Sequence, residues 1–446
     1  MKASTITRHL FAVVMTLAVA FALIAATSPA NAASITSAAS GNWSSTATWV
    51  GGVVPTAADV VTIGHVVTVD ANATIAGLTI TGTLQFTNAV TPYTLTFASG
   101  STITVNGTLD MGPLGVLMTG TSGTTTLTMG AAGTLKTSNL TGLPAGALGP
   151  GAGSSLQEQG TGVFSLPNFE TAGSVIYNGV GAGAYTVTDR NYNIVFFNTT
   201  TSTFTWTLAA DRYVRGTGAA ALNIGALKVT LAGGHNIILT AGGLNNNSGG
   251  AGVLDAGGNS IVFTGTGLQY ISGNSPLGTT TFTNTNLIVN NGVGGSVNGN
   301  GGRPIIIDGS VTVTSGLFST AGAITQINRS IVNNDRFTLG NALALGGNFT
   351  NNGTFTGGAN IVTFNGSAAQ VIGGTTPATF GGMTLTNTSA PVSATTGFNV
   401  SGTLAVNINA SLIPGSDVII NSAGPAGTLT GSGTVQVTRI SPTADF

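Results

Sequence analysis

The chain has 446 residues, of which only 5% are charged, with 11 Lys+Arg against 12 Asp+Glu; a soluble domain usually carries about 25% charge, so the surface must be built from neutral groups, and the near-zero balance excludes the basic footprint of a nucleic-acid binder. The absence of Cys excludes disulfides, thiolate metal sites, Cys nucleophiles and a lipidated Cys. A 42% hydrophobic content supports a large core, while 68 Gly and abundant Thr and Val disfavour long helices and favour short strands joined by turns.

Lys2 and Arg8 precede an apolar run from Leu10 to Ala26, followed by Thr27-Ser28-Pro29-Ala30-Asn31-Ala32. Positive, apolar and small-residue regions in that order predict a secretory signal peptide over 1–32, with Ala30-x-Ala32 at the cleavage site. The rival is an uncleaved anchor, because the run from Leu10 to Ala26 is only just long enough to span a bilayer. Pro29 and the Ala-x-Ala pattern favour cleavage, and no later stretch is long and apolar enough to span. Cleavage leaves nine basic and twelve acidic side chains on an exported, mildly acidic chain.

From Val60 onward the chain is written in couplets of apolar, any, apolar: Val61-x-Ile63, Val67-x-Val69, Leu78-x-Ile80, Leu84-x-Phe86, Leu95-x-Phe97 and Ile103-x-Val105. Alternation at period two marks strands with one buried face. Alternate couplets recur at one constant interval, 61 to 78, 78 to 95 and 67 to 84, and then at a slightly longer one, 84 to 103. One rung of strand, turn, strand, turn is therefore expected roughly every 17 to 19 residues. The beat returns as Val175-x-Tyr177 to Ile194-x-Phe196 and Tyr185-x-Val187 to Phe204-x-Trp206, both 19 apart, and then as Phe204-x-Trp206 to Leu222-x-Ile224, 18 apart. Near the end, Val362-x-Phe364, Met383-x-Leu385 and Leu404-x-Val406 are 21 apart.

A unit of this length cannot close its own core and must stack, which predicts an all-β, right-handed parallel β-helix (β-solenoid) with coils of about 17–21 residues. About 20 coils at ~4.8 Å would form a rod on the order of 100 Å. Asn106-Gly107, Asn178-Gly179, Asn291-Gly292, Asn352-Gly353 and Asn365-Gly366 suit corners that need positive φ. Asn or Thr buried in line along the stack would form hydrogen-bonded ladders. The rival fold is a set of tandem immunoglobulin-like sandwiches. It rests on three copies of one motif, Ser174-Val175-Ile176-Tyr177-Asn178-Gly179, Ser260-Ile261-Val262-Phe263-Thr264-Gly265 and Asn360-Ile361-Val362-Thr363-Phe364-Asn365-Gly366, whose aromatics recur at intervals that suit a whole sandwich domain.

Four segments are expected: the signal peptide over 1–32, an N-terminal β-helical segment over 33–139, a Gly/Pro-rich boundary or loop over 140–160, and a repeat solenoid over 161–446. Gly242–Gly252 and Gly292–Gly302 are Gly/Asn-rich and predict projecting loops. No polar cap and no sorting domain is recognisable at the C-terminus. A truncated chain and a terminus that docks on another subunit are the two readings of that end.

Gly41-Asn42-Trp43-Ser44 … Thr48-Trp49-Val50-Gly51-Gly52-Val53-Val54-Pro55 … Asp59-Val60-Val61-Thr62-Ile63 resembles the start of the eight-glycine domain and related β-helical openings of secreted bacterial surface proteins. Gly347-Asn348-Phe349-Thr350-Asn351-Asn352-Gly353-Thr354-Phe355 and Val362-Thr363-Phe364-Asn365-Gly366 … Gln370-Val371-Ile372-Gly373-Gly374 resemble large bacterial β-strand-repeat proteins. The resemblance covers most of 41–110 and 345–446. It implies a long, exported, adhesin-like chain at the cell surface, and the family's C-terminal sorting domain is missing here.

Trp43 and Trp49 are candidates for a sugar-stacking platform, with Asp59, His65 and Asp70 adding polar contacts; the alternative is that both tryptophans plug the end of the solenoid. A β-helical polysaccharide lyase or hydrolase would need convergent carboxylates, for Ca²⁺ or acid/base work, and a cation for the developing anion. Only Glu158 and Glu170 are Glu, and no metal-ligand spacing or Ser/His/Asp triad can be assembled. Asp189-Arg190 and Asp211-Arg212 with Arg215 are the one charge cluster, its two halves a single coil length apart and so expected on adjacent coils. They would clamp a uronate or sulfate, or simply form exposed ion pairs. No cofactor is expected; Ca²⁺ has no motif.

Ice binding is a third reading, because Thr79-x-Thr81-x-Thr83, Thr102-x-Thr104 and Thr124-x-Thr126-x-Thr128 supply Thr-x-Thr pairs. The intervals from 79 to 102 and from 104 to 124 are unequal, and both are out of step with the couplets. The expected function is a secreted structural and adhesive module with polysaccharides or neighbouring surface chains as partners, no nucleic acid, and no membrane span once the signal peptide is removed.

Overall fold

The computed structural model describes residues 33–87, 93–98, 101–111, 126–129, 133–137, 149–150, 155–158, 174–177, 184–187, 190–197, 203–218, 220–246, 253–273, 279–301, 303–415, 418–420 and 428–436. The signal-peptide segment, Asp189, Glu170 and Asn178-Gly179 fall outside them. The chain winds as a three-sided parallel β-solenoid. One side is a sheet of fifteen strands from Gly41–Asn42 to Thr354–Thr356, continued by a three-stranded sheet of Ala378–Phe380, Phe398–Val400 and Val418–Ile420. The side before it in each coil is a six-stranded sheet that begins at Ser34–Thr36, and later an eleven-stranded sheet from Arg212–Val214 to Thr434–Val435. The side after it is first the pair Ala73–Ile75 and Leu95–Phe97, then a twelve-stranded sheet from Ala184–Val187 to Thr428–Thr430.

The ladders run from coil to coil and are parallel, where an immunoglobulin-like sandwich would need antiparallel ones. The fifteen strands and the three that follow, at ~4.8 Å each, make a rod of about 85 Å. Through the Gly/Pro-rich stretch the long sheet keeps its order, Thr134–Thr137, Ser155–Glu158, Ser174–Tyr177.

The couplets are the inward faces. Val61 stacks on Leu78, Ile63 on Ile80 and Val67 on Leu84, and Val362, Met383 and Leu404 stack in turn, all with the expected spacing. The rung, however, has a third strand. Leu95-x-Phe97 stacks on Ala73-x-Ile75, so that Leu78-x-Ile80 carries Ile103-x-Val105 instead. Coils also lengthen in mid-chain, where Val229 stacks on Leu254 and Leu254 on Phe282. The twelve-stranded sheet puts Val229-x-Leu231 over Phe204-x-Trp206, and Leu222-x-Ile224 belongs to the long sheet.

A one-residue slip separates expectation from structure at Val175-x-Tyr177, which stacks on Val195-x-Phe197 and not on Ile194-x-Phe196. Ile194-Val195-Phe196-Phe197 is apolar throughout, so period-two patterning cannot choose its buried face. Aromatic stacking makes the choice: Phe197 lies flat on Tyr177 at 5.3 Å and 11°. Phe318, Phe337 and Phe355 form a comparable inward column with successive centroids 5.5 Å apart. Each such pair adds about 0.5–1.5 kcal/mol beyond its buried area.

Among the Asn-Gly corners, Gly292 has the expected positive φ, +67°. Gly107 and Gly353 are glycine for a different reason. A Cβ at Gly107 would lie 2.1 Å from Gly82 O, and one at Gly353 would lie 2.2 Å from Asp335 O. Corner backbones of successive coils touch there, so even Ala is excluded. Gly353→Ala is expected to lower stability by about 1–3 kcal/mol, read as a lowered urea midpoint.

The three-copy motif is not a domain repeat, because its copies lie on three different sides of the prism. Its second and third copies nevertheless build the same corner. Gln269 folds back so that Oε1 accepts from Gly265 N at 2.9 Å and Nε2 donates to Leu239 O and Gly242 O at 3.0 and 2.8 Å. Asn291 Nδ2, one coil further on, donates to the same Oε1 at 2.8 Å. Gln370 repeats the arrangement with Gly366 N, Leu345 O, Gly347 O and Asn387 Nδ2 at 2.9, 2.9, 2.8 and 3.2 Å. Each glutamine ties three coils together. Amide ladders occur as expected, Asn333 Nδ2 donating to Asn351 Oδ1 and Asn352 Nδ2 to Asn334 Oδ1, both at 2.8 Å.

Candidate functional site

At the N-terminal end, Thr46–Thr48 and Val50–Gly52 form two short 3₁₀ turns that fold Trp43 and Trp49 over the first coil. Both side chains are buried, 1% and 2% exposed, and pack edge to face with centroids 4.9 Å apart. Trp49 Nε1 donates to Trp43 O at 2.8 Å. Neither ring face is presented to solvent, so the geometry is that of a plug over the apolar interior.

The polar candidates tie this plug down. Asp59, 6% exposed, accepts from Thr56 N and Thr56 Oγ1, both at 2.7 Å, and from Ala33 N at 3.2 Å. Asp70 accepts from Ser44 N at 2.9 Å and Ser44 Oγ at 2.6 Å. His65 Nδ1 lies 3.0 Å from Ser37 Oγ, which also accepts from Gly64 N at 2.9 Å.

Burial alone would raise both carboxyls, but their hydrogen bonds outweigh it and hold each below the ordinary value of 3.8. A carboxyl depressed on folding contributes stability that is complete above its unfolded value and is lost as pH falls through the folded one. The plug is therefore expected to loosen below pH 3.8. Acid titration followed by tryptophan emission checks this, and Asp59→Asn should flatten the transition.

The charged candidates gather at one edge. Tyr192 bridges to Val214 in parallel, which sets Arg190 beside Arg212 on adjacent coils. Arg190, 8% exposed, holds its guanidinium 5.0 Å from the centre of the Tyr192 ring, and Arg215 sits 4.9 Å over Tyr213. Asp211 Oδ1 accepts from Asn236 N at 2.8 Å and faces His235 Nδ1 at 3.6 Å. The flanking tyrosines, Tyr192 and Tyr213, fell between the charges that marked this cluster in the sequence. Among the described residues, no three His, Asp or Glu side chains converge.

The register also rearranges the threonines. Thr36, Thr62, Thr79, Thr104 and Thr128 stand directly over one another on the six-stranded sheet. Thr102-x-Thr104 lies under Thr126-x-Thr128. Unequal coil lengths hid this column, since Thr79 meets Thr104 and not Thr102. On the eleven-stranded sheet the outward column reads Tyr213, Ile238, Val262, Ile288, Thr312 and Val332, an apolar stripe of half-buried and exposed side chains.

Two grooves open at corners of the C-terminal coils. The larger, about 760 Å³, includes Thr375, Pro377, Thr395, Asn399, Pro414 and Gly415. The other, about 510 Å³, lies at the opposite edge of the three-stranded sheet, along Gly358, Ile361, Gly382, Ser401 and Thr403. Residues 337–416 contain no Asp, Glu, Lys, Arg or His, so both grooves are walled by neutral groups.

No protein family, curated protein or solved structure matches this chain. Among the described residues, no helix is long and apolar enough to cross a membrane.

Proposed function

We propose that this chain is a secreted, non-catalytic structural and adhesive rod of the bacterial cell surface or extracellular space. It would bind glycans or neighbouring chains through many weak contacts of its Thr, Asn and Ser faces. The observation that carries this reading is the uncharged surface over residues 337–416, stacked on a stiff parallel scaffold. Repeated identical contacts on a rigid rod gain avidity without any single strong site. The apolar stripe from Tyr213 to Val332 supplies a face for neighbouring chains. The adhesin-like family resemblance and the signal-peptide pattern of 1–32 point the same way.

The test is incubation of the purified protein with plant, algal and animal polysaccharides, scoring retention and fragment release together. Retention without fragments is the expected result. Fragment release abolished by Arg212→Ala or Asp211→Ala would overturn it in favour of a polysaccharide lyase or hydrolase.

Ice binding is favoured by one specific observation, the in-register threonine column from Thr36 to Thr128. Its threonines repeat at ~4.8 Å along the axis, a spacing suited to ordered water, and a second threonine column accompanies it only at Thr102 and Thr126, where Ser34, Val60 and Gly77 stand in the earlier coils. If that face binds ice, the protein should shape ice crystals and Thr79→Tyr should abolish the effect; ordinary crystal growth with the native protein would end this reading.

A further inference from the structure

The larger corner groove is a place where a specific contact can be made. It spans three successive turns from the eleven-stranded to the three-stranded sheet, after Gln370–Gly373, Val392–Ala394 and Ser411–Ile413. Gly374 and Gly415, at φ +116° and +68°, turn the first and third of these corners and help hold the groove open. Three coils at ~4.8 Å give it the reach of about two sugar rings along the axis.

Its chemistry is restricted. The side chains that line it are Thr, Asn, Pro, Ala and Phe, with backbone from three glycines. No charge occurs between Arg336 and Asp417, and Asp417 falls outside the described residues. A charged ligand entering would lose hydration with no described counter-charge to replace it, which is costly. A purely apolar one would strand the Thr395 hydroxyl and the Asn399 amide and leave the Thr375 hydroxyl with only its long 3.4 Å bond to Asn352 Oδ1. Asn399 lines the groove and spends only a long 3.4 Å bond on Thr379 Oγ1, so most of its hydrogen-bonding capacity is unspent. Pro377, which is exposed, offers a flat aliphatic surface beside it, and the buried Pro414 closes its floor.

We propose that the groove along Thr375, Thr395 and Asn399 is a binding site for a neutral polysaccharide, its hydroxyls meeting the amide and threonines and its C–H face lying on Pro377. This rests on the adhesive reading and adds to it a location and a ligand class. With no ionisable group in the described walls, affinity is insensitive to pH between about 5 and 9 and to salt between about 0.1 and 1 M.

The experiment measures retention of the full protein on a neutral β-glucan, a galactomannan, alginate and polygalacturonate. Thr375→Trp fills the groove, Asn399→Ala removes the amide, and Thr384→Trp on the adjacent side is the control; circular dichroism and melting verify folding. The expected result is salt-independent retention on a neutral polymer, abolished by Thr375→Trp, weakened about five- to tenfold by Asn399→Ala, and unchanged by Thr384→Trp. Wild-type retention by folded Thr375→Trp and Asn399→Ala variants would overturn the groove and leave the adhesive reading standing. So would retention on the anionic polymers alone, suppressed by salt. Retention on none of the polymers would overturn both.

Discussion

Replacing Trp49 by alanine is expected to destabilise the N-terminal coils by about 3–5 kcal/mol, with Trp43→Ala in the same range. The two indoles are the largest buried apolar side chains at that end, and they close the first coil, in which Ile35 lies over Val61 and Gly41 over Val67. Trp43 N also donates to Thr68 O at 2.7 Å, and Thr48 Oγ1 donates to Asn42 O at 2.8 Å, so the plug is bonded to the second coil as well as packed on it. Trp49→Phe separates the contributions: most apolar area remains, but the Nε1 bond to Trp43 O is lost, for about 1–2 kcal/mol. Hydrogen exchange should show protection falling in residues 60–86 first, because each coil of a solenoid is stabilised by its neighbours. Unchanged exchange there in Trp49→Ala would show that the tryptophans do not seal the stack.

Gln370→Leu is expected to cost about 3 kcal/mol or more, although it roughly keeps the side-chain volume. The substitution leaves Gly347 O and Gly366 N without their side-chain partner inside the corner, removes one of the two donors to Leu345 O, and takes the weaker of the two acceptors from Asn387 Nδ2, which keeps Ala368 O at 2.6 Å. Buried polar groups that lose a partner bear the full cost of desolvation, about 1–3 kcal/mol each, tempered where water enters. Gln269→Leu should behave alike for the same geometry. The two corners lie several coils apart and share no partner, so the double variant should show the sum of the single effects. Urea unfolding of the three variants measures this. A near-neutral Gln370→Leu would mean that the corner is held by its backbone ladder alone.

The parallel solenoid was legible because its couplets are short, apolar and evenly spaced, at 61 to 84 and again at 362 to 406. The third strand of each rung was not, because Ala73-Thr74-Ile75 has only one strongly apolar inward residue. Ile194-Val195-Phe196-Phe197 hid its register by being apolar at every position. The threonine column was hidden by coil lengths, which vary with the loops and so break any fixed period. The glutamine corners had a readable signal, Phe-x-Gly-x-x-x-Gln at Phe263 and again at Phe364, but the decisive residue lies beyond the strand that marks the repeat. The plug was visible as an alternative for Trp43 and Trp49, and Asp59 and Asp70 stood out as polar residues nearby. Only the fold shows that their oxygens are occupied, those of Asp70 by Ser44 beside the plug and those of Asp59 by Thr56 and Ala33.

Small-angle X-ray scattering of the purified protein tests the central claim, a rod of stacked coils with neutral sides. The account predicts an elongated particle of uniform cross-section with a longest dimension of at least about 85 Å. A compact globular profile, near the ~22 Å radius of gyration of a sphere-like chain of this length, would contradict it.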